Sequence, residues 1–272
     1  MKRKEIALVK EQKQLTAEIF SLRLAVSFAG EVKAGQFVSL FSSDGRRLLP
    51  RPISICEADA EEGSIRVVYR VAGKGTEEFS RLESGERIAV MGPLGNGFPL
   101  DEAAGKRLLL VGGGIGIPPM LAAAKALKGR AKLRAALGYR TKDTYLLEEM
   151  KEQLGSGLLA VSTDDGSLGV KGTVLDAISA LEGSCGSADG EEAVADILFA
   201  CGPKVMLQAV KDYSAARGIS CYVSMEERMA CGIGVCLGCV CRTTEPDGHS
   251  LVKNARVCAD GPVFSAEEVD LS

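Results

Sequence analysis

The chain has 272 residues, a formal net charge of −3, an apolar share of 46% and a charged share of 25%. That balance describes a folded globular protein and excludes disordered and fibrous classes, and the lack of a basic excess argues against nucleic acid as a partner. No apolar run approaches the ~20 residues that span a bilayer, and the N-terminal MKRKEIALVKEQKQLTAEIF lacks the apolar core and cleavage site of a secretory leader. A cytoplasmic protein without membrane attachment is therefore expected. In that setting nine cysteines read as metal ligands or buried hydrophobes rather than as disulfides, and their odd number leaves one unpaired in any full disulfide scheme.

Residues 1–101 read as short strands. Phe37–Phe41, Ile65–Val71 and Arg87–Met91 are rich in β-branched and aromatic residues, and Gly30, Gly35, Gly45, Gly63 and Gly85 punctuate the gaps. Short strands at near-regular spacing predict an antiparallel barrel. Arg51-Pro-Ile-Ser54 reads as a turn after a strand, in which Arg51 could fork onto a phosphate and Ser54 could hydrogen-bond a heterocycle. Gly73-Lys-Gly-Thr76 leads into a helix over Glu77–Leu82, with Thr76 placed as its N-cap and a second phosphate site at its start.

Residues 102–223 change character. Arg107–Gly114 is a continuous apolar run, the mark of a strand buried on both faces. Similar runs recur at Leu133–Leu137, Leu158–Val161, Ile197–Ala200 and Cys221–Val223, with helices expected at Met120–Leu127 and Val205–Ala216. Strand alternating with helix predicts a parallel sheet with crossover helices. Glu182–Ala195, small and polar, reads as a surface loop.

Leu108–Met120, LLLVGGGIGIPPM, is a strand, a glycine turn and a helix opening with Pro118 and Pro119 at positions where a missing N–H costs nothing. Bare glycine backbone at a helix start suits a pyrophosphate. The motif is not a strict G-x-G-x-x-G, because Ile117 stands where the last glycine would be, and a plain buried β-turn-α unit remains the bland alternative. Asp164 and Asp165, after the third strand, would repel a 2′-phosphate and tilt the choice towards NAD. Arg140 and Lys142 would be the phosphate partners in the opposite case.

Residues 224–272 are rich in glycine and cysteine and too small to build a core unaided. The spacing Cys231-x₄-Cys236-x₂-Cys239, followed by Cys258 with eighteen residues between, is that of plant-type [2Fe-2S] sites. Three thiolates on one tight loop can wrap a cluster and a distant fourth can close it, while Gly232, Gly234 and Gly238 let the backbone turn its amides towards the sulfurs. A zinc ribbon would more often show two C-x₂-C pairs, and only one occurs. Cys241 is expected to be buried near the loop but not bound, and Cys56, Cys185 and Cys221 to be structural. Thr243–Arg256, TTEPDGHSLVKNAR, reads as an extended hairpin, with His249 a surface residue of no role.

Taken in order, RPIS, GKGT, MGPLGNGF (Met91–Phe98), GGGIGIPPM and CGPKVM (Cys201–Met206) resemble the motifs of the ferredoxin–NADP reductase superfamily. The C-terminal EERMACGIGVCLGCVC and RVCADGPVF resemble more closely the electron-transfer subunits of NAD-dependent dihydroorotate dehydrogenases. The resemblance implies FAD at Arg51, Pro52, Ile53, Ser54, Val68, Tyr69, Arg70, Gly75 and Thr76. It implies NAD at Gly112, Gly113, Gly114, Gly116, Cys201, Gly202 and Pro203, and a [2Fe-2S] cluster on Cys231, Cys236, Cys239 and Cys258. It divides the chain into an FAD-binding β-barrel domain (1–101), an NAD-binding α/β domain (102–223) and a small C-terminal cluster domain (224–272).

A flavin can exchange both a hydride and single electrons, so it would stand between the cluster and NAD⁺. No catalytic residue for an organic substrate is evident. The resemblance places that chemistry on an FMN-bearing catalytic subunit that converts dihydroorotate to orotate in pyrimidine synthesis, in a heterotetramer of two plus two chains. The alternatives are a flavin–iron–sulfur subunit of a ferredoxin–NAD(P) oxidoreductase or hydrogenase complex, and a redox-sensing or zinc-binding interaction protein on a degenerate reductase fold.

Overall fold

The computed structural model describes residues 2–185, 193–246 and 251–271. The expectations for His249 and for the side chain of Cys185 lie outside the described residues, as do residues 186–192 of the expected loop.

The N-terminal strands are β1 (Arg3–Gln14), β2 (Ile19–Ala25), β3 (Phe37–Phe41), β4 (Arg51–Asp59) and β5 (Ser64–Arg70), followed by helix α1 (Lys74–Phe79) and strand β6 (Arg87–Leu94). They close an antiparallel barrel in the order β1-β2-β5-β4-β3-β6. Period-two alternation does the work: Leu22 and Leu24, Val38 and Leu40, Ile53 and Ile55, and Ile65 and Val67 all point into one shared core. Arg51-Pro-Ile-Ser54 is the start of β4, not a turn, because Ile53 and Ile55 supply the alternation that a barrel strand needs. Helix α1 begins two residues before Thr76. Thr76 therefore stands inside the first turn, and its Oγ1 accepts from the N–H groups of Ala72 (2.9 Å) and Gly73 (3.2 Å). It reaches back to the helix start instead of forming it.

After α2 (Leu100–Ala103) come β7 (Arg107–Gly113), α3 (Ile117–Leu127), β8 (Lys132–Tyr139), α4 (Leu147–Leu154), β9 (Leu159–Thr163) and β10 (Val170–Lys171). Then follow α5 (Val174–Cys185), β11 (Ile197–Cys201), α6 (Lys204–Arg217) and β12 (Ser220–Ser224). Helix α5 occupies the first residues of the stretch expected as a loop from Glu182. The C-terminal segment adds β13 (Val240–Arg242), β14 (Asn254–Arg256) and β15 (Val263–Ser265). Strands β13 and β14 pair antiparallel; β14 ends the stretch expected as a hairpin, but β13 lies just before its expected start at Thr243, and residues 247–250 are not among those described.

The sheet order is β10-β9-β8-β7-β11-β12-β15, parallel except for β15, which pairs antiparallel with β12. The sheet thus includes a strand from the C-terminal segment. Strand β7 explains the unbroken apolar run: Leu108 and Leu110 face a core built with α3 and α4, whereas Leu109 and Val111 face one built with α5, α6 and the C-terminal segment. From β7 the chain first builds outwards through β8, β9 and β10. It then crosses back to add β11 on the other side, so strand order reverses between β7 and β11. In open α/β sheets the crevice beyond the strand ends at such a reversal is where ligands bind. Among the described residues no helix is long and apolar enough to cross a membrane.

Candidate functional site

The barrel contributes the first part of the site. The guanidinium of Arg51 lies directly over Gly75, where an added Cβ would be 2.7 Å from Nε and 2.8 Å from Nη2. Arg51 Nη1 also donates to the Leu49 carbonyl at 2.6 Å. Residues far apart in sequence, Arg51 and Gly75–Thr76, are thereby brought together at the start of α1. The loop leading into β4 is held by Glu78, which accepts from Ser42 Oγ, from Ser43 N (2.7 Å) and Oγ (2.8 Å), and from Arg47 Nη1 (2.5 Å). Desolvation raises the Glu78 carboxyl, but these donors outweigh it and hold the group down at about 2.

The other barrel residues divide by face. Ile53 and Tyr69 point into the barrel core and Val68 into the core shared with α3. The Tyr69 ring stacks on Phe20; burial pushes its pKa up to about 12, against the lowering effect of the hydrogen bond its hydroxyl accepts from Gln12 Nε2 at 2.9 Å. These three residues can offer a ligand their backbone but not their side chains. Pro52 and Ser54 are cross-strand partners of Ser39 and Phe37 on β3.

The crevice at the reversal is a cavity of about 720 Å³. Gly113 and Gly114 at the end of β7, Gly202 and Pro203 after β11, and Arg70 from β5 all line it. Gly112, Gly116 and Cys201 stand behind that wall. A Cβ on Gly112 would meet Ile117, and one on Gly116 would run into the Cys201 carbonyl, so these glycines permit close packing rather than ligand approach. Cys201 is buried, which pushes its thiol to about 12.

Asp164 and Arg140 line the cavity. The carboxylate of Asp165 is instead taken up by Ser167 N (3.0 Å) and Oγ (2.6 Å). The motifs did not reveal Tyr145 and Ser162, which also line the cavity and whose buried hydroxyl oxygens have no hydrogen-bond partner among the described residues. A lone tyrosine in a loop and a serine at a strand end carry no spacing signal. Nor did they reveal Glu226: the cavity walls desolvate its carboxyl and raise its pKa, against the pull of Arg70. Unpartnered hydroxyls and bare glycine backbone on one wall fit a polar nucleotide.

The cysteine loop makes the third part. Gly232 and Gly234 take positive φ (69° and 89°), which bends Cys231–Cys239 back on itself. Backbone N–H groups then point at sulfur: Ile233 and Cys236 to Cys231 Sγ (3.5 and 3.4 Å), Gly238 to Cys236 Sγ (3.4 Å), and Cys258 to Cys239 Sγ (3.4 Å). Burial alone would raise the Cys231 thiol, but the amides of Ile233, Cys236 and Val235 and the Cys236 side chain bring it down to about 6. Cys258 is pushed up to about 12 by burial and by its contact with Cys239.

The four thiols therefore gather as two pairs, Cys231 with Cys236 and Cys239 with Cys258. Among the described residues no group of three or more Cys, His, Asp or Glu is placed to hold one metal ion. Two pairs of thiols, with amides turned towards them, fit the two irons of a [2Fe-2S] cluster. Cys241 is buried on β13 opposite Ala255. The loop rests on the barrel, since a Cβ at Gly232 would stand 3.0 Å from Ser39 Oγ, and Ser39 is the strand partner of Pro52.

Two family models match the chain: an oxidoreductase FAD-binding domain over residues 7–98, and the iron–sulfur cluster binding domain of dihydroorotate dehydrogenase B over residues 226–270. The fold and the site thus define an FAD-binding oxidoreductase of ferredoxin-reductase-like build that carries an iron–sulfur domain. Among solved structures, an NADH-dependent reduced ferredoxin–NADP oxidoreductase studied for electron bifurcation superposes with a TM-score of 0.83. It is 32% identical, over 98% of this chain and 90% of that one. A ferredoxin–NADP⁺ reductase from Neisseria gonorrhoeae, at 18% identity, shares the fold with a TM-score of 0.65, over 83% of this chain and 94% of that one. The chain is 41% identical, over the full length of both, to the electron transfer subunits of dihydroorotate dehydrogenase B (NAD(+)) from Bacillus cereus strain B4264 and Bacillus anthracis strain CDC 684. It belongs to that family of electron transfer subunits.

Proposed function

We propose that this chain carries electrons from a dihydroorotate-oxidising catalytic subunit to NAD⁺, and that its residues divide the task by region. The observation that carries the reading is the contact of the cysteine loop with Ser39, beside the Pro52–Ser54 strand, while Arg70 reaches from the same barrel into the nucleotide cavity. Arg51, Gly75 and Thr76 hold the FAD pyrophosphate. Pro52 and Ser54 flank the flavin, and Ile53, Val68 and Tyr69 contribute backbone. Gly113, Gly114, Gly202 and Pro203 receive the nicotinamide nucleotide. Gly112, Gly116 and Cys201 close the floor beneath them, and Asp164 faces the adenosine ribose. Cys231, Cys236, Cys239 and Cys258 hold the [2Fe-2S] cluster. When bound, FAD supplies the conversion between a hydride and single electrons.

The catalytic partner carries FMN in this reading, and the complex is a two-plus-two heterotetramer in the cytoplasm working in pyrimidine synthesis. The purified chain should reduce an artificial dye with NADH but not oxidise dihydroorotate. Adding the catalytic subunit should couple dihydroorotate oxidation to NAD⁺ reduction. Dihydroorotate oxidation by the chain alone would refute the division of labour. In the same preparations Cys258→Ser should lower bound iron and labile sulfide, whereas Cys241→Ser should leave both near the wild-type level. The reverse pattern would refute the ligand set.

A further inference from the structure

Eighteen residues separate the fourth thiol from the third, yet hydrogen bonds between protein groups fix its place. Arg256, two residues before Cys258, grips Asp260, two residues after it: its N and Nε donate to Asp260 Oδ2 at 2.8 and 2.9 Å, and Nη2 to Oδ1 at 2.7 Å. The remaining arm, Nη1, donates to the Gly234 carbonyl at 3.1 Å, in the loop between Cys231 and Cys236. One guanidinium thus ties the segment bearing Cys258 to the loop bearing the other three thiols. The approach is close, since a Cβ on Gly234 would stand 2.8 Å from Ala259 Cβ.

The barrel takes hold of the same segment from the other side. Asn96, just beyond β6, donates from its backbone to the Gly261 carbonyl at 2.6 Å. Its side-chain Nδ2 donates to the carbonyls of Asp260 (2.8 Å) and Ala259 (3.4 Å). Gly95 makes room for this contact, as a Cβ there would be 2.8 Å from the Gly261 carbonyl. We infer that Arg256 and Asn96 are positioning residues that together form a bridge from flavin barrel to cluster loop: Arg256 joins the two halves of the ligand set, and Asn96 pins that joined set to the barrel. The inference rests on the cluster assignment made above. A guanidinium is needed because only its planar fork can serve a carboxylate and a carbonyl at once; a lysine ammonium cannot span both. The amide of Asn96 is needed because its partners are both carbonyls, which a carboxylate would repel.

Arg256→Lys and Asn96→Asp, made in the flavin- and cluster-loaded chain, test this. Iron, sulfide and flavin per chain are measured first, then the half-time of cluster bleaching under a ferrous chelator and the electron paramagnetic resonance spectrum after reduction. Both variants should keep full flavin and wild-type dye reduction by NADH. Both should bleach ~10-fold faster, as outer partners of metal sites commonly dictate, and both should show altered g values. Wild-type bleaching and an unchanged spectrum in either variant would overturn the bridge, since it needs both ends. Flavin lost in step with iron would also overturn it, by making the two residues ordinary fold contacts. Failure of the cluster assignment itself would look different: wild-type chain without iron and sulfide, or Cys258→Ser retaining both.

Discussion

The place reserved for Arg51 is shaped by what Gly75 lacks. A methyl group at Gly75 would overlap the guanidinium, whose nearest atom is 2.7 Å from that position. Gly75→Ala should therefore displace Arg51 and weaken FAD binding at least tenfold, the equivalent of one charge-assisted hydrogen bond of ~1.5–3 kcal/mol. Flavin content after gel filtration measures it, with Gly45→Ala as control because nothing lies within 4 Å of that site. Glu78 sets a pH limit on the same region. Its folded-state pKa of about 2 lies below the ordinary 4.5, so its contribution to stability is complete above about 4.5 and is lost as pH falls through about 2. Glu78→Gln should cost ~1 kcal/mol at neutral pH and flatten the decline of Tm between those two values, as followed by thermal melts. The sequence points to Arg51 and Gly75 through their motifs. It conceals that Ile53, Val68 and Tyr69 are turned into cores, because β-branched and aromatic residues look alike whether they face a ligand or a barrel interior.

Strands β7 and β11 are legible because each is an uninterrupted apolar run, and β3, β8 and β12 because each is a short, mainly apolar segment. Strands β1 and β2 are harder to see. The outer face of β1 mixes charged residues with exposed Ile6 and Leu8, which blurs the alternation. The start of α1 is misplaced for a different reason: Thr76 has the chemistry of a cap but reaches back from within the first turn. At the nucleotide cavity, glycine spacing marks the turn between β7 and α3 but does not tell a glycine that admits a ligand from one that admits a neighbouring strand. Gly113 and Gly114 line the cavity, Gly113 with the Met206 side chain close over it, whereas Gly116 lies against the Cys201 carbonyl. The acid pair after β9 also separates, since Asp164 faces the cavity and Asp165 is engaged by Ser167. Asp164→Asn should narrow the preference for NADH over NADPH by about fivefold, the effect of ~1 kcal/mol between charges about 4 Å apart in water-like surroundings. Asp165→Asn should leave it nearly unchanged. Stopped-flow reduction of the flavin by each nucleotide gives the ratio.

Polar contacts join the barrel to the helices that flank the sheet. Glu57 on β4 pairs with Arg23 at 3.2 Å and with Lys125 on α3, while Arg66 on β5 makes a two-pronged pair with Glu149 on α4 at 2.6 and 3.0 Å. Charges so divided between barrel and sheet set the angle at which the two halves meet, and no local pattern in either segment announces a partner in the other. The antiparallel strand at the end of the sheet has a further consequence. Strand β12 would be an open edge if β15 did not cover it through Tyr222–Ser265, Val223–Phe264 and Ser224–Val263, whereas the opposite edge, β10, is only two residues long. Unpaired edges recruit strands from other molecules. A chain cut after Ser224 should therefore self-associate in light scattering, although Gly113, Gly114, Asp164, Gly202 and Pro203 of the cavity wall are all present. The cover also lies beyond the last cysteine of the site, so it leaves the ribosome after every other strand of the sheet. Until it docks, the growing polypeptide exposes a sticky flank, and its protection against aggregation arrives with the same segment that carries Cys258.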